Sequence, residues 1–315
     1  MVEKIFNTNK LKKEQINKFS IFFDEILSDL KTSLKLDSLE KIIISSDFSE
    51  DIFKIQNEYE LDEISYTNRK DGSAVAKVIT NKASEENLKQ SIIIKDFMIL
   101  GLVIPEQARS SFHILHHELC HVHDYYNQYE ISKISGGKEK KLNKLQNVLI
   151  KHANTIWSEY IAVRLSALSA PKDQLDDFDI PYLLQLIVST RKNMEKKILN
   201  YRYNGDTLKL FLYLQKETGI LLKIAATTQG YIDGLKIHEH ESYIETKNKI
   251  EKLNFDDIWL KQLDELRLLF DTYPNWKNIN QLKKLGQVVQ ICWEHFGIYP
   301  KYLKESKEIY IDVPT

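Results

Sequence analysis

The 315-residue chain has little cysteine, glycine or proline and no excess of either charge. Two cysteines cannot build the disulfide framework of a small secreted domain. Ten glycines and six prolines exclude collagen-like and low-complexity classes. Lys and Arg number 44 and Asp and Glu number 45, which gives a net charge of -1. Proteins that bind nucleic acids usually carry a basic excess, so we expect no nucleic-acid partner.

Long apolar runs are also missing. No stretch of 18 apolar residues occurs, and the sequence therefore predicts no transmembrane helix and no membrane partner. The opening segment MVEKIFNTNKLKKEQINKF lacks the apolar core of a secretory signal, so we expect a cytoplasmic protein. What the chain does contain, 43% hydrophobic and 28% charged residues, is typical of a globular protein with a sizeable core. Nothing in the sequence indicates an oligomeric state.

The spacing of apolar residues predicts an α+β fold that is predominantly helical. Helical spacing covers 9–36, about 49–60, about 105–128, about 141–170 and almost all of 181–297. Strand patterns cover 41–45, the run SIIIKDFMIL at 91–100, the tail 308–313, and two runs that Asp71-Gly72 joins as a hairpin. We therefore predict a mixed front domain, 1–170, and a helical domain or subdomain, 171–315.

The residues with clear chemical potential lie in SFHILHHELCHVHD, 111–124. Here His117-Glu118-Leu119-Cys120-His121 fits the pattern H-E-x-x-H. On a helix, histidines at positions i and i+4 project from one face and can hold one zinc ion. The glutamate after the first histidine can serve as the base that activates a water molecule on the metal.

Helical geometry separates this segment into two faces. With about 100° per residue, His113, His121 and Asp124 lie within about 40° of His117. The opposite side is apolar and can pack on a sheet; it carries Ala108, Phe112, Leu115, Leu119, Val122 and Tyr126. The alternative interpretation is a solvated face that carries several histidines by chance.

The remaining polar residues of this segment have plainer interpretations. We expect His116 and His123 to be packing or surface residues, because they border the apolar stripe. For His113 a surface role is expected, with a substrate-side or supporting role as the alternative. Asp124 either orients a ligand histidine or is a helix-end acid. Cys120 is expected to be a packing residue, since nothing beside it would stabilise a thiolate.

A catalytic zinc needs a third protein ligand, and Glu159 is the best candidate. It lies in an almost wholly apolar helical run, where a carboxylate is costly unless it is paired or metal-bound. None of its helical neighbours at i±3 and i±4 is a cation, so no local ion pair explains it. The alternative is a tertiary salt bridge to Arg164 or to a lysine distant in sequence.

HHELCH followed by Glu159-x-x-Ala162-x-Arg164-x-x-Ala167 resembles the glutamate-type zincins, and more narrowly the ImmA/IrrE-type metallopeptidases. The resemblance covers about residues 60–171. It implies a zincin-like catalytic core, in which a small mixed sheet precedes the H-E-x-x-H helix, with a helical C-terminal part beyond the match. It also implies that an extended peptide pairs with a sheet edge, formed by one strand of the hairpin at Asp71-Gly72.

The sequence thus predicts a zinc metallopeptidase, a hydrolase of protein or peptide substrates. His117, His121 and Glu159 would bind Zn²⁺, and Glu118 would be the catalytic base. Two alternatives stay open: a non-catalytic zincin-fold module that binds a regulatory partner, and a toxin or defence protease with a single protein target. Intact Glu118 argues against the non-catalytic module, because a structural metal site has no use for a base.

Weaker patterns remain in the second half. His238-Glu239-His240-Glu241 could form a second metal site or supply an oxyanion donor, but a polar surface loop is the preferred interpretation. Tyr231 and Tyr243 are further candidate oxyanion donors. The acidic DDFD at 176–179 and the GGKEKK stretch at 136–141 are expected to be solvated. The tyrosines and tryptophans of this half are expected to pack in the core.

Overall fold

The computed structural model describes residues 2–61, 68–69, 72–81, 87–135, 142–171, 180–239 and 241–314. The protein is α+β and mostly helical, as the sequence predicted. Its strands are β1 (Glu3–Asn7), β2 (Leu39–Ser45), β3 (Asn68–Arg69), β4 (Gly72–Ser73), β5 (Ala76–Thr80), β6 (Gln90–Lys95), β7 (Tyr299–Leu303) and β8 (Glu308–Asp312). Its helices are α1 (Lys13–Leu30), α2 (Phe48–Glu58), α3 (Asp96–Gly101), α4 (Pro105–Ser135), α5 (Lys144–Ser166), α6 (Ile180–Asn204), α7 (Thr207–Leu235), α8 (Glu241–Lys252), α9 (Asp256–Thr272) and α10 (Lys283–His295).

The chain forms two compact units. The first comprises Met1–Glu130 and Ser169–Pro171, and the second comprises Ile131–Leu168 and Lys172–Thr315. The boundary falls inside α4 and near the end of α5, whereas the sequence-based division was placed at residue 170. That division into domains stays a prediction. In the structure α5 is grouped with the later helices because it packs along α7 and α10.

A small mixed sheet forms the centre of the first unit. Its strand order is β1-β2-β6-β5, with β1, β2 and β6 parallel and β5 antiparallel to β6 at one edge. The isoleucine runs of β2 and β6 are almost fully buried, as expected for parallel strands covered on both faces. On one face Ile43 and Ile93 pack against Ile52 and Ile55 of α2.

The strand predicted over 91–100 is only half strand. Pairing ends at Lys95, and Asp96 begins the short helix α3. The Asp96 carboxylate accepts hydrogen bonds from Thr8 Oγ1 at 2.9 Å and from Lys10 Nζ at 3.0 Å. A carboxylate in the first turn of a helix stabilises the helix start. The sequence 91–100 is apolar on both sides of Lys95-Asp96, so hydrophobicity alone could not indicate the change from strand to helix. Strand β1, which brings Thr8 close to Asp96, was not predicted.

Strands β3 and β4 pair antiparallel, Asn68 with Ser73 and Arg69 with Gly72, so a short hairpin forms in this region. Gly72 is a paired residue of β4 and not part of the turn, unlike the predicted Asp71-Gly72 turn. The second predicted run continues as β5, whose partner is β6. Residues 62–67 and 70–71, the GGKEKK stretch and DDFD lie outside the described residues. The predicted tail strand is confirmed as β8, which pairs with β7.

Helices α5 to α10 build the second unit around α5 and α7. Its core is aromatic, with the side chains of Trp157, Trp259 and Trp293 fully buried. The core packing expected for the aromatic residues of 171–315 is confirmed for Trp259 and Trp293, but it is wrong for Tyr203 and Tyr310, which are exposed. The helices α5 and α7 approach closely at Gly230 and Gly234. A Cβ at Gly234 would lie 2.5 Å from the Arg164 carbonyl oxygen, so only glycine permits this distance between the backbones.

In the described part of the chain, no helix combines the length and the apolar character needed to cross a membrane.

Candidate metal centre

The histidine pair lies on α4, a helix of 31 residues that begins at Pro105, where proline suits the first helical turn. The Nε2 atoms of His117 and His121 are 3.1 Å apart, and the ring planes are nearly perpendicular at 89°. His121 also stacks on Tyr125 at 6.1 Å between ring centroids. The helical spacing thus turns both Nε2 atoms to one point, as predicted.

Glu159, from α5, completes a group of three. One ligand atom from each of His117, His121 and Glu159 lies within 4.8 Å of the other two. Among the described residues, no other set of three or more His, Cys, Asp or Glu side chains is grouped in this way. The three side chains singled out as ligands from the sequence are therefore close enough to bind one metal ion.

The donor set fits zinc. Two nitrogens at about 2.0–2.1 Å from a tetrahedral zinc would be about 3.3 Å apart, close to the 3.1 Å between the Nε2 atoms. Two neutral imidazoles and a carboxylate are the ligands of many catalytic zinc sites, and they leave one coordination position open. The group is largely buried, with 8% of His121 and 17% of the Glu159 side chain exposed.

Glu159 also has the tertiary salt bridge that was the alternative explanation for its burial. Lys223 Nζ, from α7, lies 2.6 Å from Glu159 Oε1. Arg164 instead pairs with Asp233 at 3.4 Å. A carboxylate has two oxygens and about four lone-pair sites, so the ion pair and a metal bond are compatible. Lys223 could not be identified from the sequence, because a contact between distant helices leaves no local spacing signal.

Glu118, the predicted base, follows His117 on α4 and is half-buried. Burial raises the pKa of the Cys120 thiol, and the negative charge of Glu118 raises it further. Cys120 is fully buried and free, and burial likewise raises the pKa of Cys292. The expected packing role of Cys120 is confirmed, since a buried thiol with a raised pKa is a poor nucleophile.

The surface role expected for His113 is wrong. Its side chain is only 7% exposed, and its Nδ1 lies 2.9 Å from Ser169 Oγ. His116 Nδ1 lies 3.0 Å from the same hydroxyl, and burial lowers the pKa of His116. Arg109 adds a hydrogen bond from Nε to the carbonyl oxygen of Ala170 at 2.8 Å. These contacts give His113 and His116 partners other than a metal ion.

Two further predictions concern the end of the segment. His123 is a packing residue: its Nδ1 accepts the backbone N–H of Lys35 at 2.8 Å, and burial with the Lys35 charge lowers its pKa to about 4. Asp124 is fully buried and accepts a hydrogen bond from Gln128 Nε2 at 2.8 Å. The helix-end alternative for Asp124 is wrong, because α4 continues to Ser135.

In the described part of the His238–Glu241 pattern, His238 and Glu239 lie between α7 and α8, and Glu241 begins α8. His238 follows α7, and its Nδ1 lies 2.9 Å from an Arg267 nitrogen, beside the buried carboxylate of Asp233. Arg267 binds Asp233 through two nitrogens, at 2.7 and 3.1 Å. His238 is therefore part of a salt-bridge network, while His240 lies outside the described residues. The oxyanion roles suggested for Tyr231 and Tyr243 stay predictions.

No family model, no characterised protein and no solved structure matches this chain.

Proposed function

We propose that the protein is a zinc-dependent peptidase with a zincin-like catalytic core, acting on a protein or peptide substrate in the cytoplasm. The observation that carries the proposal is the convergence of His117, His121 and Glu159 within 4.8 Å, with Glu118 beside the first ligand. A structural metal site would need neither an open coordination position nor a neighbouring base.

The three ligands have distinct tasks in this reaction. His117 and His121 offer their Nε2 atoms, and Glu159 contributes a carboxylate from α5. Zinc, when bound, supplies a Lewis acid that polarises the scissile carbonyl and makes water acidic enough to react at neutral pH.

Glu118 moves the proton. Its carboxylate takes a proton from the attacking water and passes it to the nitrogen of the leaving amine. Its adjacency to His117 keeps it close to the reacting centre without making it a ligand, because it projects about 100° from His117 around the helix.

One edge of the sheet is consistent with a peptide substrate. Strand β5 is the antiparallel edge of the four-stranded sheet, and it immediately precedes β6, which leads through α3 into α4. An edge strand offers backbone N–H and C=O groups that an extended peptide can pair with.

Glu118→Gln tests this function, because it removes the base and leaves the three ligands in place. Cells that express wild-type protein, Glu118→Gln or His121→Ala are compared by mass spectrometry of newly formed protein N-termini. We expect new termini only with wild type, a loss on the order of 10²–10⁴ in Glu118→Gln, and retained zinc in that variant. Equal cleavage, or an unchanged biological effect of Glu118→Gln, would favour the non-catalytic module.

A further inference from the structure

Lys223 puts a positive charge directly against the proposed ligand Glu159. Its Nζ lies 2.6 Å from Oε1, and the Lys223 side chain is 44% exposed. In the described part of the chain the structure gives Lys223 no other side-chain hydrogen bond or ion pair. An ammonium group has three N–H donors, so donors remain after the contact with Glu159.

The helices that carry Glu159 and Lys223 pack closely against each other. Helices α5 and α7 belong to the same unit and pack at backbone distance, since a Cβ at Gly230 would lie 2.9 Å from the Tyr160 carbonyl oxygen. The Lys223 carbonyl also accepts a hydrogen bond from Thr227 Oγ1 at 3.2 Å. The packing of α5 on α7 thus places the Lys223 backbone near Glu159, and the Lys223 side chain, 44% exposed, contacts both Glu159 and solvent.

The pair satisfies the Glu159 carboxylate, which is 17% exposed, but an ion pair with a partner as exposed as Lys223 adds only about 0–1 kcal/mol to stability. A cation beside a metal-binding carboxylate also opposes metal binding electrostatically, unless an anion arrives during the reaction. Peptide hydrolysis produces such an anion, because the carbonyl oxygen becomes negatively charged when water attacks.

We propose that Lys223 stabilises this oxyanion; the inference rests on the proposed peptidase function. As the water oxygen bonds to the carbonyl carbon, the π electrons move to the carbonyl oxygen, and Lys223 donates hydrogen bonds to it. When the C=O bond re-forms, the C–N bond breaks and the amine leaves with the proton that Glu118 carried. Lys223 keeps its own proton throughout and ends in its starting state.

The test uses binding of small ligands to the metal-loaded protein, so it needs no substrate. Wild type, Lys223→Met, Lys223→Arg and the control Lys216→Met are loaded with Co²⁺. Each is titrated with anionic acetohydroxamate and with neutral imidazole, followed by visible absorption. Lys216 lies two turns earlier on the same side of α7 and is exposed, so it matches Lys223 in charge and helix.

We expect Lys223→Met to bind acetohydroxamate about 10–100-fold more weakly, the worth of a charge-assisted hydrogen bond, with imidazole affinity unchanged. Lys223→Arg should keep most of the wild-type affinity for acetohydroxamate, and Lys216→Met should bind both ligands as wild type does. If the variant binds acetohydroxamate as wild type does, or loses both ligands equally, the role of Lys223 is refuted while the metal site stands. If wild type takes up no metal, the proposed function itself fails.

Discussion

His117 and His121 present their Nε2 atoms to each other across 3.1 Å, one helical turn apart on α4. His113 lies one turn earlier on the same side, yet its Nδ1 contacts the Ser169 hydroxyl at 2.9 Å. Three histidines with the same helical spacing therefore have different surroundings. Only the later two point at a shared position with Glu159.

This difference predicts the outcome of two matched substitutions. His121→Ala should abolish tight zinc binding, because it removes one of three protein ligands. His113→Ala should retain about one zinc per chain, since its partner is Ser169. Zinc affinity measured by competition with a chelator checks both. Equal losses in the two variants would show that the histidine face acts as a whole and would contradict the assignment of ligands.

The close approach of α5 and α7 makes Gly234 intolerant of a side chain. Gly234→Ala would place a Cβ 2.5 Å from the Arg164 carbonyl oxygen and 2.6 Å from Ala167 Cβ. We expect a loss of about 1–3 kcal/mol in the free energy of unfolding, as for other overpacked cores. The control Gly286→Ala meets only ordinary contacts at 3.4 Å and should be neutral or slightly stabilising. Urea unfolding of both variants decides this; equal stabilities would contradict the packing.

Titration of His152 should lower the free energy of unfolding in mild acid. Burial lowers the pKa of His152, and the nearby Lys151 charge adds to the effect. The unfolded chain therefore binds a proton near pH 6.5 that the folded protein takes up only at lower pH. Stability is full above pH 6.5 and falls as the pH drops below it.

In His152→Gln this part of the pH dependence should disappear. Urea unfolding at pH 7.5 and pH 5.5, both with a chelator present, gives the free energies to compare. We expect the loss between the two pH values to be smaller in the variant by roughly 0.5–1 kcal/mol. An identical loss in both proteins would mean that His152 does not titrate differently on folding.

The parts of the site that depend on one helix could be predicted from the sequence. The spacing of His117 and His121 fixes their common face wherever α4 packs, and the apolar residues Leu115, Leu119 and Val122 are buried as expected. Glu159 could be found because a carboxylate in an apolar helix needs a partner. The long helices were predicted from their strong apolar periodicity, and β2 was predicted from its continuous isoleucine run.

What could not be predicted depends on contacts between distant segments. Lys223 meets Glu159 because α7 packs along α5, and lysines on exposed helix faces look alike in sequence. The buried state of His113 depends on Ser169, far along the chain. The change from β6 to α3 depends on hydrogen bonds that Thr8 and Lys10 donate to the Asp96 carboxylate. Both residues follow β1, which brings them close to Asp96.

Elemental analysis of the purified wild-type protein decides whether the metal site exists. If His117, His121 and Glu159 form a metal site, the protein should contain about one zinc per chain, or take it up after reconstitution. Glu159→Ala, measured alongside, should bind zinc far more weakly while keeping the same helical content by circular dichroism. A wild-type protein that stays free of metal after incubation with zinc would contradict the site and the peptidase proposed from it.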